Sequence, residues 1–182
     1  QFCLDQIELL SAYSQQVIPV ISYLPDSISL DRISYETVQL RRSFNQIAFR
    51  IKIQEFDFVF SHIENFVLPN DYVILDIDAA SHVSPVLKKL YKRISDSRRR
   101  IGFLSIVINA NRPESLTNRE MGDGEPIAEI DNSLKELYST AYMNQFNGFG
   151  DYACITSALP TTGGAISPVG IYYSEVNNFF IA

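Results

Sequence analysis

The stretch Tyr72-Val73-Ile74-Leu75-Asp76-Ile77-Asp78, followed by Ser84-Pro85 and the apolar positions Val83, Val86, Leu87, Leu90, Tyr91 and Ile94, decides the fold class. The first part is a short apolar run rich in β-branched residues, which suits a strand buried on both faces. The second repeats its apolar residues at three and four, the period of a helix that covers a core. Ser84 stands where an N-cap accepts the first free amides, and Pro85 stands where a missing N–H costs nothing. The whole is a strand followed by a helix.

The same alternation extends in both directions. Val17 to Tyr23, Ile47 to Ile53 and Ile101 to Ile108 read as further buried strands. Phe56, Val59, Phe60, Ile63, Phe66 and Val67 predict a helix, as do Ile130, Leu134, Leu137, Tyr138, Ala141 and Tyr142. A first helix is expected through Leu4, Ile7, Leu10, Tyr13 and Val17, and a weaker one from Tyr35 to Phe44. Repeated βα units predict a parallel sheet covered by helices. The polar stretch from Asn111 to Glu129 reads as a long loop. A strand is expected around Gly150 to Ile155, and a closing hairpin from Ala165 to Tyr173 and Asn178 to Ala182.

The chain has 182 residues, 46% of them hydrophobic and 20% charged, which is enough to bury one core and predicts a single domain. Its formal charge of -6 argues against nucleic-acid binding through the general surface, since that affinity comes from Lys and Arg on phosphates. The one basic concentration, Lys88, Lys89, Lys92, Arg93 and Arg98-Arg99-Arg100, reads as a solvated helix face and its following loop. Cys3 and Cys154 are far apart and only His62 and His82 accompany them, so a zinc site or disulfide framework is not expected. No apolar window has transmembrane length, and the expected location is the cytoplasm, with reduced thiols. The numbering starts at Gln1 rather than Met, which fits a fragment or a processed product.

A complete (β/α) barrel typically needs about 250 residues. The expected fold is therefore α/β: a parallel-stranded, barrel-like sheet, incomplete, with a C-terminal hairpin. The succession Ile18-Pro19-Val20-Ile21, Leu75-Asp76-Ile77-Asp78, Gly148-Phe149-Gly150-Asp151-Tyr152, Ile166-Ser167-Pro168 and Ile171-Tyr172-Tyr173 resembles the C-terminal portion of the phage-type beta protein family. The resemblance spans most of residues 17 to 182 and rests chiefly on the Gly-Asp-Tyr segment and its spacing to the last strand. It implies a barrel-like α/β shape and a setting in phages or in mobile and defence-associated bacterial gene neighbourhoods. It also implies a missing N-terminal segment, and it supplies no catalytic residues.

The chemistry has to come from the residues. Alternation along a strand sends Asp76 and Asp78 to the face opposite Leu75 and Ile77, at the C-terminal strand end where such sheets place their sites. The same parity puts Arg50 and Lys52 beside them. It also puts Leu104, Ile106 and Ile108 under the helices, and Ser105, Val107, Asn109 and Asn111 in the mouth. Asp151 and Tyr152 are candidates to complete it. In one reading Asp76, Asp78 and Asp151 hold Mg²⁺ or Mn²⁺ while Arg50 or Lys52 holds a phosphate, Asn109 and Tyr152 contact the ligand, and His82 is the general acid or base. In the other, Arg50 and Lys52 simply pair with Asp76 and Asp78 inside the sheet. Gly148, Gly150, Gly163 and Gly164 form neither a P-loop nor a GxGxxG unit and are assigned to turns. Tyr172 and Tyr173 are assigned to core packing rather than to stacking on a base.

Two functions follow. One is a non-catalytic barrel domain that acts through a protein partner in a phage-related or phage-defence setting, completed by that partner or by its own missing segment. The other is a metal-dependent hydrolase of phosphate esters or nucleic acid.

Overall fold

The structure, a computed structural model, describes residues 9–23, 29–78, 80, 82–109, 126–129, 133–151, 172–174 and 179–181. Five strands form one parallel sheet: β1 (Val20–Ile21), β2 (Ala48–Lys52), β3 (Tyr72–Asp76), β4 (Leu104–Asn109) and β6 (Gly148–Asp151). Between them run α1 (Leu30–Leu40), α2 (Phe56–Ile63), α3 (Pro85–Ile101) and α4 (Ser133–Met143). A second sheet is antiparallel, in the order β5 (Pro126–Glu129), β8 (Phe179–Ile181), β7 (Tyr172–Ser174). Among the described residues no helix is long and apolar enough to cross a membrane.

The five parallel strands are neighbours in chain order and the sheet is not closed. Right-handed crossovers between successive neighbours bring every connecting helix to the same face. That face is identified by contact. Phe49 of β2 meets Phe66 beyond α2 edge-on at 5.9 Å, and Phe149 of β6 meets Tyr138 of α4 at 3.6 Å. Registers Phe49↔Val73↔Ser105 and Ile51↔Leu75↔Val107↔Phe149 lay this face out in rows. Against it pack Val59, Phe60, Ile63, Leu87, Tyr91 and Ile94, all fully buried. Each of the Val, Leu, Ile and Phe side chains among them contributes about 1.5–3 kcal/mol by leaving water.

Local signals account for most element ends. Ser84 caps α3 by accepting the Leu87 amide at 3.1 Å, with Pro85 in the first turn, and Ser29 does the same for α1 through Arg32. Helix α3 runs to Ile101, seven residues beyond Ile94, and ends at Gly102, whose φ of +98° favours glycine. Arg98, Arg99 and Arg100 therefore occupy its last turn, where cations favour the helix dipole, and not a following loop. Strand β4 begins at Leu104 for the same reason.

Other expectations are corrected. The stretch read as loop to Glu129 contains β5, whose partner β8 is distant in sequence. Gly148 and Gly150 lie in strand β6 and not in turns. In the N-terminal segment the described residues hold a short 3-10 turn, Ser11–Tyr13, in place of a long helix; Leu4 and Ile7 lie outside the described residues. The terminal pair β7 and β8 is antiparallel, as a hairpin requires.

Candidate functional site

The C-terminal ends of β1, β2 and β3 carry the polar groups that no core needs. Arg50 of β2 reaches diagonally to Asp76 of β3, with Nε at 3.0 Å and a terminal nitrogen at 2.6 Å from the same carboxylate oxygen. The other oxygen of Asp76 accepts the Asp78 amide at 3.0 Å. Asp76 is fully buried and the Arg50 side chain is 24% exposed. Asp78 sits at φ +50°, a left-handed conformation that is unusual for a non-glycine residue and that Asp tolerates better than most. This turn aims its amide back at Asp76 and ends the strand. Lys52 lies in register with Asp76, but no ion pair of Lys52 occurs among the described residues.

Two residues that the sequence reading passed over complete this end. Beyond β2 the chain makes a 3-10 turn, Ile53–Glu55, and beyond β1 lies Tyr23. Both carboxylate oxygens of Glu55 and the hydroxyl of Tyr23 are sealed from solvent with no hydrogen-bond partner among the described residues. Burial raises the carboxyl of Glu55 above its ordinary range, Lys52 opposes that and Asp76 adds to it. Burial also raises the Tyr23 phenol, and Glu55 raises it further. In the sequence both stand just past the C-terminal end of a buried strand, a position that marks a candidate but does not reveal a missing partner.

The remaining expected residues are placed differently. Register pairs Ile74 with Ile106 and Asp76 with Ile108, so Leu104, Ile106 and Ile108 share the helix-free face with Arg50 and Asp76. Ser105, Val107 and Asn109 face the helices, the reverse of the expectation. Asn109 is 3% exposed and its amide donates to the Ala80 carbonyl at 2.8 Å, holding the turn that leads to α3. Ser105 is satisfied by Asn147, which accepts its amide at 2.9 Å. Asp151 pairs in register with Asn109 and not with the strand positions of the Asp76 face. His82 is an exposed residue of the loop before α3. Tyr152 and Asn111 lie outside the described residues.

A divalent ion fits poorly here. Asp76 already accepts two Arg50 donors and one amide, and among the described residues no three of His, Cys, Asp and Glu are grouped to hold a metal. The basic patch also has local partners: Arg93 contacts Asp57, Ser61 and Glu64 and lies over Phe56 and Phe60, Arg100 contacts Glu64, and Lys92 pairs with Asp96. His62, the second histidine, shares a 2.7 Å hydrogen bond with Ser34 that ties α2 to α1.

The opposite end of the sheet offers a contrast. Asp71, just before β3, is fully buried and accepts four donors: two from Arg41, the Ile47 amide at 3.0 Å and the Leu68 amide at 2.8 Å. Every acceptor there is matched within the protein, which marks a structural anchor. Comparison of the chain with protein-family models, with curated proteins and with solved structures gave no match.

Proposed function

We propose that the chain is part of a barrel-type domain of phage or mobile-element origin that works in the cytoplasm by engaging a protein partner, and not by metal-dependent hydrolysis of phosphate esters. The observation that supports this reading is the sheet itself. Strands in sequential order with helices on one face leave a second face that needs cover, and here it carries the half-buried side chains of Ile74, Ile106 and Ile108. In a barrel that face turns inward, and further strands from the same polypeptide or from a partner complete it. The Arg50–Asp76 pair counts against hydrolysis, because it engages the carboxylate a metal would need. The phage setting rests on the sequence resemblance alone.

The test is affinity capture of the tagged chain from phage-infected bacteria, set beside Ile106→Lys. The reading expects a defined protein retained by the wild type and lost by the variant, with the variant still folded by circular dichroism. Metal-dependent phosphodiesterase activity that Asp76→Asn abolishes would overturn it.

A further inference from the structure

Natural proteins give more than nine in ten buried polar groups a hydrogen-bond partner, so three unmatched oxygens at one strand end call for an explanation. Tyr23 Oη and both Glu55 oxygens are that case, and they come from neighbouring elements. A sealed carboxylate with no donor is a poor anion, because nothing replaces the water it has lost. The charged groups acting on it are Lys52 of β2 and Asp76 of β3, the latter already neutralised by Arg50; Asp78 follows Asp76 in the same turn. Glu55 in its acid form donates one hydrogen bond. The Tyr23 hydroxyl donates another, and the Lys52 ammonium, which has no ion pair among the described residues, supplies donors and the single compensating charge.

We propose that Tyr23, Lys52 and Glu55 bind a small oxyanion, a carboxylate or a phosphate, at the C-terminal ends of β1 and β2. A tyrosine and a protonated carboxylic acid at the ends of adjacent strands form a donor pair suited to a developing or resident oxyanion. The place agrees with the rule that parallel sheets bind ligands outside the carboxyl ends of their strands. Bound anion and protonated Glu55 favour each other, so affinity falls as pH rises through the titration of Glu55.

The experiment is calorimetric titration of the intact chain with acetate and, separately, with inorganic phosphate, at about pH 6 and about pH 8. Expected is saturable one-to-one binding of at least one anion at the lower pH, weakened about tenfold by Tyr23→Phe or by Lys52→Met, each removing one charged or neutral donor. Acetate keeps its charge between these pH values, so any weakening at the higher pH reports a protein group and not the ligand. Glu55→Gln, whose amide still donates, should bind acetate with little pH dependence. No saturable binding of either anion overturns the proposal. Binding undiminished in both Tyr23→Phe and Lys52→Met overturns it equally and means an adventitious ion only. Neither result bears on the partner reading, which depends on Ile106 and Asp76.

Discussion

Replacing Asp71 with Ala removes a fully buried carboxylate that accepts four hydrogen bonds. The loss has two parts. The Arg41 guanidinium, 19% exposed, keeps most of its burial without its counter-charge, and breaking a buried pair in this way costs about 3–5 kcal/mol. The amides of Ile47 and Leu68 lose their acceptor, at about 1–3 kcal/mol for each that water does not reach. Non-additivity and local repacking make about 4 kcal/mol a sensible centre, a large share of the roughly 5–15 kcal/mol that holds a domain together. In urea, with an m-value of about 2 kcal/mol/M, the midpoint should fall by about 2 M at unchanged m. Arg41→Met leaves the fully buried Asp71 carboxylate with only its two amide donors and should cost about 3 kcal/mol. A loss under about 1 kcal/mol for Asp71→Ala would refute the assignment of Asp71 as the anchor.

Other consequences are open to the same measurements. Glu55 has a folded-state pKa above its unfolded value, so the unfolded chain releases that proton more readily and stability falls as pH rises from the ordinary carboxylate range through the raised value. Glu55→Gln should therefore match wild-type stability below about pH 4 and exceed it near pH 7; parallel curves across that range would contradict the assignment. Arg50→Met strands the buried Asp76 carboxylate and should destabilise by about 3 kcal/mol, with Arg50→Met/Asp76→Asn recovering part of it in a double-mutant cycle. Gly102→Ala forces a β-carbon into φ +98° without a clash, since the added atom would lie 3.6 Å from Pro69, and should cost about 1–2 kcal/mol in urea unfolding.

Much of the sheet was legible because its central strands are short stretches dominated by apolar, β-branched residues and most of the helices repeat their apolar residues at three and four. Ser84-Pro85 placed the start of α3, but its end was misplaced, because the apolar period stops at Ile94 while the helix runs on to Gly102. The strand faces were harder. In β4 both faces are largely apolar, and the buried face carries Ser105 and Asn109, whose needs are met by Asn147 and the Ala80 carbonyl. Apolarity therefore pointed Ile106 and Ile108 the wrong way, and only the register with Ile74 and Asp76 corrects it. The short β5 pairs with a strand some fifty residues later, so no local period announces it. Arg50–Asp76 followed from parity at a strand end. Tyr23 and Glu55 escaped because their distinction is a missing partner, which is a property of packing and not of residue type.

The central claim is that Asp76 serves Arg50 and not a metal ion. Calorimetric titration of Mg²⁺ and Mn²⁺ into the wild-type chain and into Asp76→Asn tests it most directly. The account predicts no binding that depends on Asp76, with both proteins giving the same trace. Stoichiometric binding in the wild type that the variant loses would contradict it and turn the strand end into a metal centre.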